Sequence, residues 1–205
     1  MTEREFDPLR ALATLNRHGV RYVLIGGFAG KLHGSSALTV DVDICYVRDD
    51  DNFGRLVAAL QELHATLRGT EPDLPFRLDV RTLRNGDAFT FVTDAGDLDI
   101  IGSPAGTSGY EDLARTAVRM DLEPVEVDVA SIDDLIAMKR ASHRPRDRAH
   151  LEILGALRDE LDQRIAPVAG SEVREEAGPL VIPSTGTPLS SADVRELIDA
   201  DRHQI

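Results

Sequence analysis

Residues 39–47 read Thr-Val-Asp-Val-Asp-Ile-Cys-Tyr-Val, and their alternation decides how the chain folds. Val40, Val42, Ile44 and Tyr46 fall on one side of an extended strand, while Thr39, Asp41, Asp43 and Cys45 fall on the other. Such a strand has a core face and an acidic face. Residues two apart point the same way with α-carbons roughly 6–7 Å apart, so Asp41 and Asp43 can converge on one or two hard cations. Parallel carboxylates repel each other and resist burial, a conflict that magnesium resolves. Taken alone, Asp-Val-Asp also fits a polar strand face that simply meets solvent.

Upstream, residues 22–25 form a short buried strand that Gly26-Gly27 breaks, and residues 28–33 form a short helix ending before Gly34. The glycine pair leaves backbone N–H groups where a triphosphate can approach without a side chain in the way. Many strand-to-helix turns carry glycine for conformational reasons only. Further upstream, Asp7-Pro8 opens a helix whose stripe is Leu9, Leu12, Ala13 and Leu15 and whose end is His18-Gly19.

Downstream, residues 50–67 carry Phe53, Leu56, Val57, Leu60, Leu63 and Leu67 at helical spacing and are expected to cover the sheet. Residues 88–92 and 98–101 are two strands joined through Thr93-Asp94-Ala95-Gly96, which suits a hairpin. Leu98-Asp99-Ile100 sets a third carboxylate between apolar neighbours. Asp97 shares its parity, and Asp99 is preferred because it lies deeper in the apolar run. Residues 124–129 read as another strand. Ser131 then caps a helix over 132–142, and Pro145 restarts a helix that runs to about residue 165.

On the first of these helices Ile132, Leu135, Ile136 and Lys139 stand at offsets 0, 3, 4 and 7, so Lys139 extends the inward stripe. The alternative is a stem that covers core while the ammonium reaches water. Asp147, His150, Leu151 and Leu154 share a face of the second helix, so Asp147 either meets the helix start or orients Lys139. Lys139, Arg140, Arg144, Arg146 and Arg148, opposed by Asp147, form a local basic stretch suited to phosphates or to a solvated helix pair.

Composition sets limits. The 205 residues, 42% hydrophobic, suit one domain with a substantial core plus an appendage. The expected division is a domain over 1–166, then a linker and helical tail over 167–205. Residues 170–187 are rich in Gly, Pro, Ser and acids with little periodicity, and a last helix spans 191–203. No apolar run reaches the roughly 18–20 residues of a membrane span, and Met1-Thr2-Glu3-Arg4-Glu5 is too charged for a secretory signal, so a cytoplasmic protein without membrane contact is expected. The single cysteine, Cys45, excludes an internal disulfide and a cysteine-based zinc site, and a buried hydrophobic role suits it better than nucleophilic attack. A formal charge of −13 argues against general electrostatic coating of nucleic acid.

The order Gly26-Gly27, Asp41-Val42-Asp43, then Asp99 in a later strand resembles the signature of the nucleotidyltransferase superfamily. The resemblance implies an α/β, DNA polymerase beta-like fold, a mixed sheet flanked by helices with further C-terminal helices. It implies that Asp41, Asp43 and Asp99 bind Mg2+, that Gly26 and Gly27 hold the nucleoside triphosphate, and that an acceptor hydroxyl attacks the α-phosphate with loss of pyrophosphate. Gly27 stands where serine is often found. A narrower resemblance over residues 22–154, carried by residues 93–99 and 132–139, is to the AbiEii-like nucleotidyltransferases, which include MenT-type tRNA-modifying toxins of toxin–antitoxin pairs. It implies that Lys139 and Asp147 complete the nucleotide site, while His150 stands where a second acid is frequent.

Three readings follow. One is transfer of a nucleoside monophosphate to an RNA end such as the tRNA 3′ end, by a toxin with a cognate antitoxin partner; the overall acidity makes RNA affinity modest and salt-dependent. Another keeps the chemistry but gives AMP to a protein or small molecule, which suits the net charge better. The third is a silent nucleotide- or partner-binding module whose tail, with Val194, Leu197 and Ile198 on one face, binds a groove, its own domain or a second copy.

Overall fold

The computed structural model describes residues 6–69, 76–142 and 147–165, with residues 192, 193 and 196 near the C-terminus. Chain order is α1 (Pro8–Arg17), β1 (Tyr22–Ile25), α2 (Gly26–Leu32), β2 (Asp41–Tyr46), α3 (Asp50–Glu62), β3 (Thr66–Leu67), α4 (Val80–Asn85), β4 (Ala88–Thr93), β5 (Gly96–Ile101), α5 (Tyr110–Thr116), β6 (Val118–Asp121), β7 (Glu126–Val129), α6 (Ile132–Ser142) and α7 (Asp147–Ile165). The helix starts follow local chemistry. Asp7 accepts from the Arg10 amide at 3.0 Å, Asp49 from Asn52 at 2.8 Å, and the Ser131 hydroxyl from Asp134 at 3.1 Å. Each satisfies a donor that the first helical turn leaves without an internal partner.

The strands form one sheet in the order β3-β4-β5-β2-β1-β7-β6. The hairpin β4–β5 and the pairs β1–β2, β3–β4 and β6–β7 are antiparallel, while β2–β5 and β1–β7 are parallel. The sheet is therefore mixed, and the α/β nucleotidyltransferase architecture expected from the sequence is the one observed. Its acidic strand β2 is central, between β1 and β5.

Alternation along β2 sorts the two faces. Val42, Ile44 and Tyr46 are buried, as are Leu98 and Ile100 beside them on β5, and Phe53 of α3 meets the Tyr46 ring edge-on at 6.2 Å. Helices α1 and α3 pack on this side, with α4 against α3. The opposite face carries Asp41, Asp43, Asp97 and Asp99, with α2 and α6 beside it.

Asn52 ties α3 to the sheet. Fully buried, it accepts from the Arg21 amide at 2.7 Å and donates to the carbonyls of Arg21 at 3.1 Å and Val47 at 2.9 Å. Backbone groups flanking the β1–β2 pair thereby gain partners at the edge of the core.

Some boundaries differ from the sequence expectation. The helix expected over 50–67 ends at Glu62, because His64 adopts φ +50 and the chain turns to lay Thr66 and Leu67 against β4. Leu67 thus belongs to a strand despite its helical spacing. Helices α4 and α5 and strand β6 were not anticipated; they are short and have little periodicity of their own, and partners elsewhere in the chain stabilise them. The expected linker over 170–187 and the tail helix over 191–203 lie outside the described residues, except for 192, 193 and 196.

Candidate active site

Gly26 is glycine for two separate reasons. Its φ is +74, and a β-carbon there would lie 1.9 Å from Asp43 Oδ2 and 2.7 Å from Asp43 Cβ. The turn after β1 is thus pressed against the acidic face of β2, where Ile25 and Asp43 are in register. The next amide, that of Gly27, donates to the Asp43 carboxylate.

Gly27 has a different constraint. A β-carbon there would lie 2.6 Å from Thr39 Oγ1 and 3.0 Å from Thr39 Cβ. The space a serine side chain would need is filled by the Thr39 side chain. Thr39 is buried, and its hydroxyl donates within 3.2 Å of Asp41 Oδ1. A hydroxyl therefore stands over the glycine turn, supplied from β2's approach rather than from position 27.

The parallel pairing of β2 with β5 assembles the carboxylates. Asp43 lies in register with Asp99, and Asp41 with Asp97. Four carboxylates therefore occupy two adjacent positions on two adjacent strands. Asp99 is the more enclosed of the β5 pair, with 16% of its side chain exposed against 30% for Asp97.

Electrostatics bears the mark of this crowding. Burial pushes the Asp43 carboxyl up to about 7, and the neighbouring charges of Asp41 and Asp99 add to the shift; Lys139 and the Gly27 amide oppose it. A cation there would lower the cost of ionising Asp43. Among the described residues no three carboxylate, imidazole or thiol groups are already drawn into coordinating geometry. Oxygen donors from two adjacent strands, one of them reluctant to ionise alone, fit a hard divalent ion.

Lys139 is brought to the same place. It lines a cavity of about 200 Å³ with Ile25, Gly26, Asp43 and, on α6, Leu135 and Met138. Ile101, Pro104 and Ala105 close the wall. The loop bearing Pro104 and Ala105 is seated tightly against α6, since a β-carbon at Gly106 (φ +82) would lie 2.7 Å from the Ala137 carbonyl oxygen. One side of Asp43 thus opens on a mostly apolar recess with an ammonium in its lining. Asp147 begins α7, but its side chain lies outside the described residues, as do residues 143–146 of the basic stretch. His150 is half-buried on the same helix.

Arg68 was not anticipated. Its Nη1 donates to Asp97 at 2.8 Å, and its Nη2 lies 3.3 and 3.4 Å from the two oxygens of Asp99. Only the β3–β4–β5 arrangement brings it there, so no local pattern at residue 68 signals it. Thr39 was more legible, since it shares the acidic side of the 39–47 alternation. Cys45, on that side too, is fully buried with its thiol pushed up to about 12, which suits the packing role expected of it.

Residues 9–174 match the family described as nucleotidyl transferase AbiEii toxin, type IV toxin–antitoxin system. The chain belongs to this AbiEii family. As an AbiEii-family protein it is a nucleotidyltransferase, an enzyme that moves a nucleoside monophosphate from a triphosphate. Among solved structures, the AbiEii chain is similar to the lincosamide antibiotic adenylyltransferase LnuA in its lincomycin-bound form, at 12% identity and a TM-score of 0.51 over 73% of this chain and 95% of that one. It is also similar to the antibiotic-resistance factor ANT(2'')-Ia, at 15% identity and a TM-score of 0.47 over 96% of this chain and 90% of that one. At these identities the likeness to LnuA bears on the fold. No curated protein matches the chain in sequence. Among the described residues, no helix is long and apolar enough to cross a membrane.

Proposed function

We propose that this AbiEii-family enzyme transfers a nucleoside monophosphate from an NTP to the 3′ hydroxyl of an RNA, such as a tRNA acceptor end, as the toxin of a toxin–antitoxin pair. The observation that carries the reading is the in-register pairing of Asp43 with Asp99 beside a glycine turn and a recess lined by Lys139. In this reading residues 1–166 form the transferase unit and 167–205 an appended segment.

Asp41, Asp43 and Asp99 would hold magnesium, which when bound neutralises phosphate charge and lowers the pKa of an attacking hydroxyl. Gly26 and Gly27 leave the turn open to the triphosphate. Lys139 offers its ammonium to phosphate oxygens from within the recess, whose apolar wall of Ile101, Pro104 and Met138 can seat a base or ribose. Asp147, at the start of α7, would orient Lys139. The acceptor oxygen forms a bond to the α-phosphorus as the bond to the bridging oxygen breaks. Pyrophosphate leaves with that electron pair, and the hydroxyl proton passes to Asp99.

Incubating purified protein with total tRNA, Mg2+ and each labelled NTP tests the reading. Label on tRNA that disappears in Asp41→Ala and Asp43→Ala is the expected result. Label on a protein or on a small hydroxylated molecule instead would redirect the acceptor, a reading that the net charge of −13 favours. Magnesium-dependent NTP binding without transfer to any acceptor would mark a silent module.

A further inference from the structure

The floor of the site continues past the carboxylates. Adjacent strands in register present side chains on the same face, so Thr90 of β4 lies beside Asp99, and Val92 beside Asp97. One strand further, Thr66 pairs with Val92, and the Arg68 amide donates to the Thr90 carbonyl at 2.9 Å. Two rows therefore cross the sheet, Asp43-Asp99-Thr90-Arg68 and Asp41-Asp97-Val92-Thr66. The Lys139 recess adjoins Asp43 at one end of this floor, and Arg68 stands at the other.

Displacement at phosphorus sets which end serves which substrate. The attacking oxygen and the leaving pyrophosphate lie roughly in line on opposite sides of the α-phosphorus. With the triphosphate in the recess beside Lys139, the acceptor reaches the carboxylates from the β4–β3 end. Thr90 and Val92 are half-exposed there, Thr66 is exposed, and Arg68 keeps 39% of its side chain open to solvent.

The two ends of the Arg68 fork are unequally held. Nη1 is anchored on Asp97 at 2.8 Å, while Nη2 reaches Asp99 only at 3.3–3.4 Å, beyond the usual range for a charge-assisted bond. A guanidinium anchored on one edge presents its other edge in a defined direction. We propose that Arg68 is an acceptor-positioning residue, anchored by Asp97 and offering its second edge to a phosphate next to the attacking 3′ hydroxyl of an RNA. It provides a local anchor for an anionic acceptor on a floor lined with four carboxylates. This assignment rests on the RNA-acceptor reading above.

The test measures binding rather than turnover. Fluorescein-labelled tRNA is titrated with full-length wild type, Arg68→Gln and Arg68→Lys over a salt series, and Mg2+·NTP affinity is measured separately by calorimetry. The expected result is a tRNA affinity about tenfold weaker in Arg68→Gln, a log–log salt slope shallower by about one, and partial recovery in Arg68→Lys. Because Arg68 also touches Asp99, Mg2+·NTP affinity is expected to shift, but by less than tRNA affinity in both variants, and matching thermal melts establish that both fold. Unchanged tRNA binding in Arg68→Gln, or an equal loss of NTP affinity, overturns the assignment while leaving the RNA reading standing. Wild type that binds Mg2+·NTP but no tRNA at any salt concentration overturns the RNA reading and Arg68's role with it.

Discussion

Gly26→Ala should damage stability and the carboxylate site together. The new β-carbon would lie 1.9 Å from Asp43 Oδ2, 2.5 Å from its carboxyl carbon and 2.7 Å from its β-carbon. Rotating the Asp43 side chain can clear the carboxylate but not the β-carbon, which is fixed to β2. The strand or the turn must therefore move. Holding alanine at φ +74 costs about 1–2 kcal/mol, and overpacking of this kind typically costs about 1–3 kcal/mol more, so the total is about 2–5 kcal/mol. Urea unfolding of metal-free protein reads the first effect, and calorimetric titration with Mg2+·NTP reads the second. Gly54→Ala is the control: Gly54 lies within α3, an added β-carbon meets nothing within 4 Å, and the variant should gain about 0.5–1 kcal/mol. If Gly26→Ala unfolded within about 0.5 kcal/mol of wild type and bound nucleotide equally well, the contact between turn and carboxylate would not exist as described.

Gly27→Ala should be milder, because the backbone there is not left-handed and Thr39 can give way; pairing it with Thr39→Ala should recover part of the loss, and strict additivity in a double-mutant cycle would deny the contact. Asp43 keeps its proton to about pH 7 in the folded, metal-free chain, whereas an unfolded aspartate releases it near pH 3.9. Between those values the folded state binds more protons, so in EDTA the stability should fall as pH rises from about 4 to about 7. Asp43→Asn should flatten that part of the profile and raise stability at pH 7.5; a wild-type profile that rises through this window in step with Asp43→Asn would refute the shift. Lys139→Gln should raise the NTP KM by about tenfold or more with little change in fold, as expected for losing a charge-assisted contact to phosphate, and an unchanged KM would return Lys139 to packing. Asn52→Ala, which removes the side-chain partner of the Arg21 amide and of the Val47 carbonyl while the Arg21 carbonyl keeps the Val47 amide, should cost about 1–3 kcal/mol in urea without altering nucleotide affinity. A cost under about 0.5 kcal/mol would mean water replaces the amide.

Where period and punctuation were strong, local chemistry sufficed to read the fold. The Asp7-Pro8 and Ser131 helix starts and the turn at Thr93–Gly96 each encode their element within a few residues and appear as expected, as does the alternation over residues 41–46, although the strand begins at Asp41 and leaves Val40, expected on the apolar side, 60% exposed. The acidic side of β2 was legible for the same reason, since side-chain parity along a strand is a property of the strand alone. Leu67 shows the limit. Its spacing continued the α3 stripe, yet pairing with Phe91 of β4 drew it into a strand. What residues 39–47 could not contain was register. Whether Asp43 faces Asp99 or Asp97 depends on how β2 and β5 align, and a slip of two residues would preserve parity while exchanging the partners. The same holds for Gly27 beneath Thr39, and for Arg68, which reaches the carboxylates only because two strands lie between β3 and β2. Local sequence determined which side chains share a face; long-range pairing, set by burial of Val42, Ile44, Leu98 and Ile100 in one core, decided which of them meet.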